Sequence, residues 1–268
     1  MSIDLTLVSI VLGTLMCGVG SVFVAYVLAR ALLSRFQQHM LSLAAGALLA
    51  TAFLHLLPEA FGSGASPSQL FLTLLVGLIF FFLLDKAELW HHGHEHGHAH
   101  AHSHAHVHAD QHAHNHDEPA KVGGWSVLFG DSVHAFGDGI MVAGAFMADV
   151  NLGYAASVAV LAHEIPHHMG DLTVLASTGG VKNQAFFKLS LSGLVTTLGG
   201  VLAYGLLEGR EVWVPYMLSV ASSSYLYVAL ADLIPQLQKR LSARATLHQI
   251  LWLFAGMGLV NLTQRLYH

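Results

Sequence analysis

Eight acids and histidines stand in two stretches of otherwise apolar sequence. These are Asp131-Ser132-Val133-His134-Ala135-Phe136-Gly137-Asp138-Gly139 and His163-Glu164-Ile165-Pro166-His167-His168-Met169-Gly170-Asp171. No Lys or Arg occurs between residues 122 and 181, so protons or metal cations must neutralise Asp138, Glu164 and Asp171. Residues four apart share a helix face, which pairs His134 with Asp138 and His163 with His167. If the two helices face each other, three imidazoles and one carboxylate converge. That is a four-coordinate N/O set suited to a divalent transition metal such as zinc. The bland alternative is a hydrogen-bonded polar cluster that holds helices together. Pro166 removes the hydrogen bond to the Ala162 carbonyl and is expected to kink its helix. Gly137, Gly139 and Gly170 are expected to let helices approach closely. Asp131, one turn before His134, either orients it as an acceptor or sits in water at a span edge. His168 points about 100° away from the His163–His167 pair and reads as a packed, hydrogen-bonded histidine. His55, Glu59 and Asp232 either line an entrance or are solvated at span ends.

What must position these residues follows from composition. Only 10% of the 268 residues are charged and 54% are apolar, whereas an ordinary soluble domain carries about 25% charged residues. Too little charge remains to cover a water-exposed surface, which excludes a soluble enzyme and a disordered chain. A net charge of −5 without a basic face excludes a nucleic-acid binder. The single Cys17 excludes a disulfide framework and reads as a packed thiol. A membrane helix needs about 20 mostly apolar residues. Residues 5–29, 40–58, 62–84, 125–150, 152–178, 189–207, 212–231 and 245–264 meet that need, giving eight expected helical spans. The runs lack the alternation of a membrane barrel. No basic segment precedes the first span, which is too long for a cleaved leader.

Basic residues orient the spans. Nine of the eleven (Arg30, Arg35, Lys86, Lys121, Lys182, Lys188, Lys239, Arg240, Arg244) fall after odd-numbered spans, and two (Arg210, Arg265) fall on the other side. Both termini are therefore expected outside, with the segment 85–121 cytoplasmic, between a helical block at 1–84 and another at 122–268. Thirteen of the 21 histidines lie within 91–116 in His-Ala and His-Gly alternation. Such a stretch has little to bury and is expected to be disordered and to bind zinc, copper or nickel weakly. Finally, Leu54-His55-Leu56-Leu57-Pro58-Glu59 echoes Ala231-Asp232-Leu233-Ile234-Pro235-Gln236, a hint of the two-part symmetry common in secondary transporters.

At these motifs the chain resembles the histidine-rich branch of the ZIP metal transporters. That branch carries HNFxDG in its fourth span and HEIPHExGD in its fifth. Here they stand as His134-Ala135-Phe136-Gly137-Asp138-Gly139 and His163 to Asp171. The eight-span count, the external termini, the histidine-rich segment and His55-Leu56-Leu57-Pro58-Glu59 extend the resemblance over nearly the whole chain. It implies an all-α polytopic membrane protein of eight transmembrane helices in a 3+2+3 arrangement with inverted repeats. It implies transport of zinc or another divalent metal toward the cytoplasm, no cofactor beyond the transported ion, a lipid bilayer as surroundings, a cell-membrane location and a homodimer. His134, Asp138, His163 and His167 would line the main site, and Glu164 a neighbouring one sharing His167. Ala135 replaces the Asn that helps build that second site, His168 replaces a Glu, and the sixth span offers no carboxylate. One tightly held ion is therefore expected. Two other readings remain open. His163-Glu164-Ile165-Pro166-His167 is also H-E-x-x-H, the spacing of zinc metalloproteases; the histidine-rich segment also suits a membrane metal sensor or buffer.

Overall fold

The computed structural model describes residues 4–31, 37–93, 124–177, 182–238 and 242–266. Every regular element among them is helical. Leu5–Leu15, Met16–Gly20 and Ser21–Ala31 run on as one helix, α1; Gln37–Ala50, Thr51–Leu56 and Leu57–Gly62 form α2. Pro67–Gly93 is α3, Gly124–Ala148 α4, Val150–Ser177 α5 and Lys182–Leu207 α6. Glu211–Trp213, Val214–Tyr227, Val228–Leu233 and Ile234–Leu237 make α7, and Ala243–Leu266 is α8. Six of these helices (α1, α2, α3, α6, α7 and α8) are long and apolar enough to cross a membrane. α4 and α5 are as long, at 25 and 28 residues, but carry the acids of the two motifs. From residue 94 onward, the histidine-rich segment lies outside the described residues.

The described surface is rich in large apolar side chains. α3 exposes Phe71, Leu75, Ile79, Phe82 and Leu83, and α8 exposes Leu251, Phe254 and Leu262. Large side chains thus point outward while the interior is filled by small ones, such as Ala44, Ala47, Ala143, Ala155, Ala156 and Ala159. Hydrocarbon provides no hydrophobic drive for helix association, so close packing of small residues must supply it. The tightest example is Gly139 on α4, where a Cβ would stand 1.8 Å from the Thr196 carbonyl oxygen of α6. Of the three glycines expected to act this way, only Gly139 does. The Gly170 position has nothing within 4 Å, and Gly137 meets only the flexible end of Met141 at 3.6 Å.

Two sets of helices emerge. α4 packs most extensively on α6, with α1 and α5 beside them; α2 packs on α8, and α3 on α7. α5 also touches α2 and α8, and α4 touches α7, which joins the sets. Asp149 makes the hairpin between α4 and α5: its carboxylate accepts from the amides of Asn151 (2.8 Å) and Leu152 (3.1 Å), satisfying free donors at the start of α5.

Pro58 and Pro235 do not end their helices, contrary to the expected span limits at 58 and 231. Each follows a six-residue π turn, Thr51–Leu56 or Val228–Leu233, in the same register. The widened turn absorbs the missing N–H and the ring, so the helix continues. The two π turns also pack reciprocally, that of α2 against α7 and that of α7 against α2. Pro166, by contrast, lies within an uninterrupted α5.

Candidate metal site

α4 and α5 bring their motifs face to face. His134 Nε2 lies 3.4 Å from Glu164 Oε1, 3.4 Å from His163 Nε2 and 3.9 Å from Asp138 Oδ2. His163 Nε2 lies 3.2 Å from both Asp138 Oδ2 and Glu164 Oε1. Tetrahedral zinc with bonds near 2.0–2.1 Å separates its donor atoms by about 3.3 Å. Four of these five separations match that edge, so the four atoms already stand nearly where a tetrahedral ion requires them.

The setting is dry. Asp138 and Glu164 are 2% exposed and His163 4%. His163 Nδ1 stands 3.3 Å from the Ala159 carbonyl, which only accepts, so that nitrogen carries the proton. Its Nε2 lone pair therefore aims at two carboxylate oxygens, and neither Asp138 Oδ2 nor Glu164 Oε1 has a hydrogen-bond partner of its own. Lone pairs facing carboxylates in a low-dielectric interior repel unless a cation sits among them. The arrangement can chelate a divalent ion.

All five residues singled out from the sequence meet at this junction, but grouped differently from the i,i+4 pairing. Glu164, not His167, completes the group with His134, Asp138 and His163. His167 is exposed at its side chain (43%) and joins Asp131, Glu164 and His168 in an adjoining group. His168 is the packed, hydrogen-bonded histidine the sequence suggested, whereas Asp131 is not solvated at a span edge and faces His167 and His168 rather than His134. Asp131 is buried at 4%, and His168 is fully buried between Glu164 and Ser21. The signal was present: Glu164 and His168 are themselves four apart, and long side chains reach across the angle a helical wheel assigns them. The Ser21 contact carries no sequence signal. Among the polar residues at span ends, His55 is buried in the π turn of α2 with Nε2 unpartnered. Glu59 is exposed, and Asp232 is exposed and accepts from Gln236 at 2.9 Å.

Comparison with known proteins agrees with the motifs. The family model described as ZIP Zinc transporter matches residues 3–264. Zinc transporter ZIP13 of Pongo abelii is 30% identical over 272 residues, covering 92% of this chain and 75% of that protein. Human zinc transporter ZIP4 is 37% identical over 140 residues, covering 51% of this chain and 21% of ZIP4. The zinc transporter foi of Drosophila melanogaster is 31% identical over 140 residues, covering 52% and 20% respectively. The chain therefore spans about a fifth of the two longer relatives and three quarters of the third. With a family match over nearly its whole length, the chain belongs to the ZIP family of zinc transporters.

Proposed function

We propose that this protein carries zinc, and secondarily other divalent transition metals, across a membrane toward the side bearing the histidine-rich segment. The ion would be held by His134, Asp138, His163 and Glu164, with His167 next on the path. One observation carries the reading: four donor atoms on α4 and α5, three of them on buried residues and His134 half-buried, lie mostly 3.2–3.4 Å apart, with no Lys or Arg in residues 122–181 to neutralise them. The relatives ZIP13 and ZIP4 are named zinc transporters, and a mixed imidazole–carboxylate set suits zinc.

In this reading α4 and α5 also cross the membrane, giving eight spans. The reciprocal π turns of α2 and α7, together with the pairings α2–α8 and α3–α7, support a 3+2+3 arrangement with inverted repeats. The distribution of basic residues supports both termini outside and residues 85–121 in the cytoplasm. A homodimer in the cell membrane, with no cofactor, is the state the family resemblance implies. The metalloprotease alternative has no support in the geometry. A zincin needs both histidines on one ion and the glutamate free to activate water. Here His163 and His167 belong to different groups, and Glu164 lies among the donors of both.

The test is zinc flux into lipid vesicles holding the purified chain, compared with empty vesicles and with manganese, cadmium and iron as alternative substrates. Zinc-dependent filling above the empty-vesicle rate is expected. A rate equal to that of empty vesicles for every metal would leave only a binding protein.

A further inference from the structure

Tyr225 on α7 is the largest wholly enclosed side chain among the described residues. It is 1% exposed, yet its hydroxyl has no hydrogen-bond partner. A buried phenol that donates to nothing is costly, and Phe would fill the same space without that cost. Packing alone therefore leaves the hydroxyl unexplained.

The register of α7 against α4 sets Tyr225 beside Asp138. The two helices pack together, and the short connections from α4 through α5 and α6 make them antiparallel. Where they cross, a Cβ on Gly144 of α4 would stand 3.4 Å from the Met217 Cβ of α7. From that level Asp138 lies six residues back along α4, about 9 Å, and Tyr225 eight residues on along α7, about 12 Å, in the same direction. Helical side chains lean toward the start of their own helix, which carries the Tyr225 ring back toward the level of Asp138. The hydroxyl accordingly interacts electrostatically with Asp138, and with Cys17 of α1.

A carboxylate that binds a metal through one oxygen needs a donor for the other. His134 and His163 do not supply it, because each turns Nε2 toward the ion's position and His163 keeps its proton on Nδ1 for the Ala159 carbonyl. The amides of α4 are spent within an uninterrupted helix. The Cys17 thiol donates to the Ser157 carbonyl at 3.3 Å. Among the described donors around Asp138, the Tyr225 hydroxyl is the one whose proton is uncommitted. We infer that Tyr225 is a positioning residue for the transported ion: its hydroxyl donates to the Asp138 oxygen that faces away from the ion and so holds Oδ2 toward His163. The terminal torsion of an aspartate is soft, and the bond closes as Oδ2 takes up the ion. Tyr225 belongs to the helices grouped with α2 and α8, Asp138 to those grouped with α6, so the bond joins the two sets when the site is filled. The inference rests on the proposal that His134, Asp138, His163 and Glu164 hold zinc.

The experiment uses the full chain purified in detergent. It measures zinc affinity by competition with a chromophoric chelator, and the melting temperature of the metal-free protein. The histidine-rich segment is present in every variant, so its contribution cancels. Tyr225→Phe should weaken zinc binding by about tenfold or more, the loss seen when an outer partner of a metal ligand is removed. Its metal-free melting temperature should stay level or rise, because an unpartnered buried hydroxyl has been deleted. A hydroxyl that served only the core would give the opposite pair, a lower melting temperature and an unchanged affinity. Adding Tyr225→Phe to Asp138→Ala should weaken zinc no further, since the hydroxyl acts through that carboxylate. Ser222→Ala on the same helix, whose hydroxyl is spent on the Leu218 carbonyl at 2.8 Å, should leave affinity unchanged. Unchanged zinc affinity in Tyr225→Phe would overturn the inference, and so would an equal further loss in the Asp138→Ala background. His134→Ala tests the site itself. Unchanged affinity there would defeat the reading of the four donors, whereas weakening there with none in Tyr225→Phe would defeat this inference alone.

Discussion

His163 shows how narrowly the site is drawn at the scale of single residues. Its Nδ1 is tied to the Ala159 carbonyl one turn back, so only Nε2 remains for a ligand, and that atom lies 3.2 Å from each of two carboxylate oxygens. An imidazole must be neutral to bind a metal, and its reference pKa is about 6.5. Protons and zinc therefore compete for the same lone pair, and lowering pH favours the proton. Zinc occupancy measured by equilibrium dialysis should fall as pH drops below about 6. Occupancy that stays level down to about pH 5, closer to the carboxylate range, would mean that the histidines are not ligands. His134 with Asp138 was legible from spacing alone, because i,i+4 neighbours on one helix need no tertiary knowledge. The exchange of His167 for Glu164 in the first group was not, since it depends on how α4 and α5 are rotated against each other. The contact from Ser21 to His168 spans 147 residues and had no local signature.

Among the helices, small residues set the spacing that those distances need. A Cβ on Gly139 would meet the Thr196 carbonyl oxygen of α6 at 1.8 Å, and backbone cannot swing aside as a side chain can. Gly139→Ala should force α4 away from α6 and lower thermal stability in detergent by about 1–3 kcal/mol or more, the range of overpacked cores. Gly205→Ala on α6 meets nothing within 4 Å and should be tolerated, or slightly stabilising through helix propensity. Equal melting temperatures for the two variants would show that the α4–α6 approach is looser than described. Hydropathy made the six most apolar helices legible, because length and the absence of charge suffice for that. It misjudged Pro58 and Pro235 because a π turn is a backbone accommodation, set by packing between α2 and α7 rather than by residue type. The echo between those two proline segments was the visible trace of it.

For the molecule as a whole, the outward large side chains, the small-residue interior and the buried acids on α4 and α5 are what the proposed function requires: a shell for lipid around a path for a cation. Every residue of both donor groups lies between positions 131 and 171, on helices that follow the histidine-rich segment. Deleting residues 91–116 should therefore leave zinc uptake at about its original rate while removing the weak zinc binding of that segment; complete loss of uptake in a folded deletion variant would make that segment part of the path. The central claim is that His134, Asp138, His163 and Glu164 hold the ion that is moved. It is tested most directly by the initial rate of zinc uptake into vesicles carrying equal amounts of the unsubstituted chain, His134→Ala and His163→Ala. The account predicts that each replacement slows uptake by at least about tenfold, since even outer-sphere losses at metal sites reach that size. Uptake at the unsubstituted rate in both variants would contradict it.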